Sequence, residues 1–153
     1  MRKIKRKGVQ SFKNNRMEKE KLIINVEASK NHCGAYAANV DGIWGAGDSI
    51  PECKADILKS IEEILAKPAS QACQLPQWLR EGNYEIEWHI DVKSLLQYYS
   101  NIFNMAGLQR LTGINQKQLH HYASGLSKPR PTQRARINEA LHKLGQELLT
   151  LNI

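Results

Sequence analysis

The stretch GLQRLTGINQKQLHHYASGLSKPRP, residues 107–131, decides how the second half of this chain folds. Asn104, just before it, is a good N-cap, and the apolar spacing that follows predicts a short helix. Gly113 predicts a turn, Asn115 caps a second short helix, and Gly125 ends that helix. Two short helices joined across a turn that contains glycine predict a helix-turn-helix.

The second short helix has a buried side and an exposed side. Leu119 and Tyr122 are its large apolar residues, and if they face inward, the polar residues near its start face outward. Glutamine pairs in bidentate fashion with adenine and lysine donates to guanine, so this face has the chemistry to read bases in the major groove. The predicted base-reading residues are Asn115, Gln116, Lys117, His120 and His121. The cations predicted to contact the DNA backbone are Lys128, Arg130, Arg134 and Arg136.

Two other interpretations of this face are possible besides DNA binding. One is an ordinary solvated helix surface. The other is a metal or catalytic role for His120 and His121. Adjacent residues on a helix point about 100° apart, so these imidazoles cannot chelate one ion together. We therefore predict no metal site, no catalytic residue and no cofactor.

Charge divides the chain into three parts. Residues 1–16 carry seven basic residues and no acidic one, residues 17–91 carry seven basic and thirteen acidic ones, and residues 92–153 carry eight basic and two acidic ones. A basic half suits a polyanion, and an acidic half suits a basic partner. Residues 1–16 have few apolar side chains, and we expect disorder there. This tail is either an over-extended reading of the gene ahead of Met17 or a nucleic-acid-binding arm.

Hydrophobic alternation predicts the strands of the acidic half. Residues 22–28, 35–40 and 84–90 alternate in this way, and a short strand is expected around residues 43–46. Residues 31–34 are predicted to join the first two strands as a hairpin. One face of the second strand carries Tyr36, Ala38 and Val40.

A helix is predicted over residues 50–66. Ser49 and Glu52 have the spacing of a capping box, and isoleucine and leucine recur at helical intervals behind them. Residues 67–83 read as a linker that includes one helical turn at 77–81. The acidic residues of the long helix are expected to face water or a partner: Glu52, Asp56, Glu62 and Glu63.

The fold class that follows is α+β. A small β-β-β-α-β domain spans residues 17–91, with the 67–83 linker inside it, and an all-α helix-turn-helix domain spans residues 92–153. A core-facing helix over residues 92–103, capped by Asp91, begins the second domain.

The helical half resembles the DNA-binding domains of phage-repressor and Cro-type regulators, the XRE family. The resemblance covers about sixty residues and rests on apolar and glycine positions of residues 107–131. Gln109 stands where that family usually has a small alanine. The anchors are Leu108, Gly113, Ile114, Leu119, Tyr122, Gly125 and Pro129.

The acidic half, fused to such a module, resembles the HicB antitoxins, whose N-terminal part is a truncated RNase H-like fold. The resemblance covers roughly residues 20–90 and rests on strand order, on residues 36–38, on the WGAGDS turn at residues 44–49 and on the capped helix. It implies a partial RNase H-like domain. It also implies a protein that masks a small basic RNA-cleaving toxin of the HicA type and represses its own operon.

Two further function classes stay open. A nuclease is one, because full RNase H folds hold metal ions between carboxylates, although no motif groups the candidates here. A plain transcription regulator with a ligand-sensing or dimerising N-terminal domain is the other. The glycines of residues 44–47 are too few for a nucleotide site. The candidate carboxylates are Glu27, Asp41, Asp48, Glu85 and Glu87.

Cys33, Cys53 and Cys73 lack metal-ligand spacing, and we interpret them as small apolar residues. No apolar stretch is long enough for a bilayer, so we expect a soluble cytoplasmic chain without a membrane partner.

One short recognition helix reads few base pairs, which predicts a homodimer or higher homo-oligomer on double-stranded operator DNA. Its interface would use an open strand edge, the apolar end of residues 141–153, or both.

Overall fold

The structure is a computed structural model that describes residues 18–68 and 74–153. The predicted α+β class is confirmed, because a small sheet is followed by helices. The predicted disordered tail over residues 1–16 and Cys73 lie outside the described residues. No described helix combines the length and the apolar character needed to cross a bilayer.

The strands are β1 (Glu20–Ser29), β2 (His32–Ala37), β3 (Trp44–Gly47) and β4 (Tyr84–Ile90). The helices are α1 (Ile50–Leu65), α2 (Gln77–Arg80), α3 (Val92–Tyr98), α4 (Met105–Thr112), α5 (Gln116–Ser124) and α6 (Pro131–Leu149).

The four strands form one mixed sheet in the order β3-β2-β1-β4. β1 is antiparallel to β2 and parallel to β4, and the chain crosses between the parallel pair through α1. α1 packs on β2 and β3 along one face of the sheet. The core lies between this helix and the alternate residues Leu22, Ile24, Val26 and Ala28 of β1, as the hydrophobic pattern predicted.

The second strand differs from its prediction in position, and it ends at Ala37, so Ala38 and Val40 lie beyond it. The hairpin turn consists of Lys30 and Asn31 alone, and β2 therefore begins at His32. Cys33 and Ala35 face the core, whereas Tyr36 lies on the opposite face and is 44% exposed. The strand register fixes this phase, because Ala35 pairs with Val26 and Tyr36 pairs with Asn25. A local alternation pattern cannot reveal which partner residue a strand will meet.

Two glycines allow α1 to lie close against β3. A Cβ atom at Gly45 would lie 2.8 Å from the backbone nitrogen of Ile57, and one at Gly47 would lie 2.7 Å from the Cβ of Glu52. The glycines are therefore required by packing. The edge of β3 is held by the same helix, since the Asp56 carboxylate accepts a hydrogen bond from the N–H of Ala46 at 3.0 Å.

Glu52, Glu62 and Glu63 of α1 are exposed as predicted, whereas Asp56 is half-buried. Asp56 bonds the edge of β3, and Glu52 accepts a hydrogen bond from the N–H of Asp48 at 3.0 Å. The predicted cap is confirmed in part, because Ser49 Oγ accepts from the N–H of Glu52. Glu52 bonds the residue before Ser49 rather than Ser49 itself. Both carboxylates thus hold local backbone, which Glu62 and Glu63 do not.

The segment predicted as a linker takes part in the core. The helical turn expected within it is present as α2, and Leu79 in that turn is fully buried. Leu75, just before it, is also buried in the core of the sheet domain. Arg80 and Glu81 end the turn, and Gly82 leads into β4 with φ of 70°. The described part, residues 74–83, is thus a packed connection rather than a free tether.

Cys33 and Cys53 behave as the small apolar residues that we predicted. Both side chains are buried and belong to the core of the sheet domain. Burial, together with the interaction with the neighbouring Cys33 thiol, raises the pKa of the Cys53 thiol to about 12. The thiol therefore stays protonated and unreactive at neutral pH.

The helical half has a separate core that touches the sheet domain through α3. Leu96, Leu108, Leu119, Tyr122 and Ile137 bring α3, α4, α5 and α6 together. α3 also packs on β1. The hydroxyl of Tyr98, at the end of α3, accepts a hydrogen bond from the N–H of Ile50 at 3.1 Å.

Candidate nucleic-acid interface

The two short helices of the predicted motif are present with the predicted caps. Asn104 Oδ1 accepts a hydrogen bond from the N–H of Gly107 at 2.7 Å, and Asn115 Oδ1 accepts one from the N–H of Lys117 at 2.7 Å. Gly113 and Gly125 end α4 and α5 with φ of 69° and 78°, a left-handed conformation that favours glycine. α4 and α5 pack on one another across the short turn between them.

The first residue of α5 is fixed by a side chain of α4. Gln109 Oε1 accepts a hydrogen bond from the N–H of Gln116 at 3.1 Å. A helix N-terminus leaves its first N–H groups without partners inside the helix, and here one of them is satisfied from the neighbouring helix. Sequence reasoning missed this role, although Gln109 was conspicuous as a large polar residue at a position where the resembling family has alanine.

The last turn of α5 is held by α3. Gln97 Nε2 donates to the carbonyl oxygen of Ala123 at 2.9 Å, and the Lys93 side chain lies beside Gly125. A lysine ammonium at a helix C-terminus interacts favourably with the carbonyl end of the helix dipole. The middle of α5 is tied to the following loop, because Gln118 Nε2 donates to Ser127 Oγ at 2.9 Å. The start, the middle and the end of α5 are thus each hydrogen-bonded to a neighbouring segment.

The sides of α5 agree with the prediction. Leu119 and Tyr122 are buried in the helical core, while Gln116, Lys117 and His120 are exposed and His121 is half-buried. Asn115 is exposed as well, but its Oδ1 atom is occupied by the cap, which leaves the amide nitrogen as its free polar group. The outward face of α5 therefore carries Gln116, Lys117 and His120, with Asn115 at its cap, whereas His121 is only partly exposed.

The four predicted backbone-contacting cations are all exposed, and they lie in two places. Lys128 and Arg130 precede α6, and Arg134 lies in its second turn. Arg136 is close to the turn of the motif instead, since a Cβ at Gly113 would lie 2.7 Å from its Nη2 atom. Lys93 and Arg110 add two exposed cations that sequence reasoning did not single out. Only the folded chain brings Lys93 to the end of α5, so no local signal marked it.

The basic residues of the helical half have no acidic partners. Within residues 18–68 and 74–153, salt bridges are formed only by Lys21, Lys59 and His89, all of which lie in the sheet domain. The start of α6 adds to the positive character, because Arg130 is its N-cap residue and no side chain caps it. A surface that carries uncompensated cations can bind a polyanion without first breaking ion pairs.

The carboxylates considered for a nuclease are spread over the sheet. Glu85 and Glu87 lie on β4 at one edge, whereas Asp41 and Asp48 flank β3 at the other. Glu27 lies on β1 and is exposed. The carboxylate of Glu87 bonds Lys21 and lies 2.7 Å from His89 Nε2. In the part of the chain that the structure describes, no three His, Cys, Asp or Glu side chains are grouped to hold a metal ion.

Comparisons with known proteins give no independent assignment. The chain matches no protein-family model, and neither a curated protein nor a solved structure is significantly similar to it.

Proposed function

We propose that this chain is a DNA-binding regulator that reads an operator with the outward face of α5. The observation that carries the proposal is the exposed set Gln116, Lys117 and His120 on a helix whose two ends are hydrogen-bonded to neighbouring helices. Such a face presents donors and acceptors at fixed positions, which is what base readout requires. The unpaired cations around it supply the attraction to phosphate.

The test measures, by fluorescence anisotropy, the affinity of the full chain for the promoter fragment upstream of its own gene. Replacing Gln116 or Lys117 with alanine should weaken binding to the specific site by about 1–3 kcal/mol and leave non-specific binding nearly intact. Lys30→Ala removes an exposed cation from the sheet domain and serves as the control for net charge. Unchanged affinity in both α5 variants would refute the role of this helix.

A second function is favoured by the surface of the sheet domain. The face opposite α1 is open, and it carries Trp44, 67% exposed, paired across the strands with Tyr36. Glu27 and Glu85 lie on the same face, and Glu87 is paired there with Lys21. Exposed aromatic residues on a face that also carries acids suit a basic protein partner. With the HicB resemblance, this supports an antitoxin that masks a small basic RNA-cleaving toxin and represses its own operon.

The antitoxin proposal is tested with the product of a small basic reading frame next to this gene. The toxin's RNA cleavage should stop when the chain is added, and Trp44→Ala should need a higher concentration for the same inhibition. Lys30→Ala is again the control. If the chain does not inhibit the nuclease at any concentration, the remaining proposal is a regulator whose sheet domain senses a ligand or dimerises.

We also propose that the chain has no nuclease activity of its own. The described carboxylates are dispersed, and Glu87 is occupied by an ion pair. Incubation of the purified chain with RNA or RNA–DNA hybrid and Mg²⁺ or Mn²⁺ is the measurement. Cleavage that disappears in Glu27→Ala or Asp41→Ala would overturn this proposal.

A further inference from the structure

The last helix contains more apolar surface than its own chain covers. Ile137 is the one fully buried residue of α6, which continues for three turns beyond it. Leu141 and Leu144 are half-buried, Leu148 is 58% exposed and Leu149 is 80% exposed. The chain then ends with Leu151 and Ile153, both exposed. Large apolar side chains gathered at one end of a helix mark an interaction surface.

A groove runs beside this helix. It has a volume of about 650 Å³, and α6 forms one wall while β4 and α3 form the other. The wall opposite α6 carries the apolar and aromatic residues Trp88, Ile90, Leu95, Tyr99 and Phe103, together with Glu87 and His89 of β4. β4 is an edge strand, so no further described strand pairs with it on this side. The two surfaces that the sequence suggested for assembly are therefore the two walls of one groove.

We propose that a second copy of this chain occupies the groove, with the apolar end of its α6 against the β4–α3 wall of the first. A two-fold interface uses the same surface on both copies, so one chain must carry both the projecting part and the hollow. This chain does: Leu148 lines the hollow and is 58% exposed, and Leu149, Leu151 and Ile153 follow it as exposed apolar residues. A partner of another kind would not explain why both halves occur on one surface.

The size of the surface is sufficient for a dimer. Covering the four projecting side chains and the groove walls in both copies removes on the order of 1,000 Å² from water, which reaches the lower limit of a specific interface. Gly145 fits the same arrangement. It lies in the groove, and a Cβ there would have no atom within 4 Å in the single chain. Glycine costs helix stability, and at a helix contact it permits close approach.

The experiment measures the molar mass of the full chain by sedimentation equilibrium, with two variants and a control. Leu148→Lys places a charge on the projecting end, and Gly145→Trp fills the groove with the chain's own side chain. Both sites are open in the single chain, so circular dichroism should report the wild-type fold. Leu58→Lys is the control, because Leu58 is an exposed leucine of α1 away from the groove.

We expect the wild type and Leu58→Lys to be dimers at micromolar concentration. Each groove variant should raise the dissociation constant at least about ten-fold, because a lysine at an apolar contact must be desolvated and an indole blocks the hollow. A wild-type monomer at concentrations on the order of 100 micromolar would overturn the proposal. Wild-type dissociation constants in both groove variants would overturn it too, since the dimer would then use another surface.

Discussion

Gln109 and Gln116 connect the two helices of the motif through one hydrogen bond, from the backbone N–H of Gln116 to Oε1 of Gln109 at 3.1 Å. We expect Gln109→Ala to lower the free energy of unfolding by about 0.5–1.5 kcal/mol, because α5 loses the partner of its first N–H group. Urea denaturation measures the change. Operator affinity should fall as well, although Gln109 is not on the outward face of α5.

Gln109→Glu is the matched control for this prediction. The glutamate keeps an acceptor oxygen and adds a negative charge at a helix N-terminus, so stability should be retained or increased. Affinity for DNA should nevertheless fall, since the new charge repels phosphate. Equal stability of wild type and Gln109→Ala would mean that the bond does not hold α5.

Local patterns were enough to predict the elements and most of the caps. Asp91, Asn104 and Asn115 are short polar residues ahead of apolar helical repeats, and each caps a helix in the structure. Capping is decided within a few residues, so the sequence displays it directly. The outward set on α5 was predictable for the same reason, because Leu119 and Tyr122 define its buried side.

Features that depend on distant partners were not predictable. The face of the sheet on which Tyr36 lies is decided by its pairing with Asn25, which the local alternation does not show. Leu79 lies in a stretch that was predicted to be a linker, yet its side chain is buried in the core of the sheet domain. Lys93 reaches Gly125 only after α3 and α5 have packed. In each case the residues that decide the contact are distant in the sequence, so no local pattern indicates it.

The cations near α6 should act on DNA binding through charge and not through sequence. We expect alanine at Lys128, Arg130 or Arg134 to weaken binding to all duplexes alike. Each variant should also reduce the slope of log affinity against log salt concentration by about one, because fewer counterions are released. Titrations at several salt concentrations, with specific and scrambled duplexes, measure both effects. A loss confined to the operator would contradict a backbone role.

Two strand glycines should respond in opposite directions to the same substitution. A methyl group at Gly45 would lie 2.8 Å from the Ile57 nitrogen in the backbone of α1, so Gly45→Ala must displace the helix. We expect a loss of about 1–3 kcal/mol, typical of overpacking. Gly34→Ala meets no atom within 4 Å and should be neutral or stabilising by up to about 1 kcal/mol. Thermal and urea denaturation compare them. Equal losses would show that α1 does not depend on the space at Gly45.

The carboxylate of Glu87 should make the stability of the sheet depend on pH on the acidic side. It bonds Lys21 and lies 2.7 Å from His89 Nε2. The Lys21 hydrogen bond, followed by that of His89, lowers the pKa of Glu87 below its ordinary 4.5. A lowered folded-state pKa stabilises the fold above the unfolded-state value, and this contribution is lost as the pH falls through the folded-state value. Glu87 in turn raises the pKa of Lys21, whose contribution persists until the pH rises past 10.5.

Glu87→Gln should therefore lower the melting temperature at neutral pH, and the difference from wild type should shrink between about pH 6 and pH 3. The effect should be small, because the Lys21 and Glu87 side chains are 58% and 38% exposed and solvent screens the pair. Glu27→Gln, an exposed carboxylate of β1 without an ion pair to any described residue, is the control and should give a nearly constant difference. Melting curves across this pH range decide the matter. A Glu87→Gln difference that stays constant with pH would mean that the pair with Lys21 does not contribute to folding.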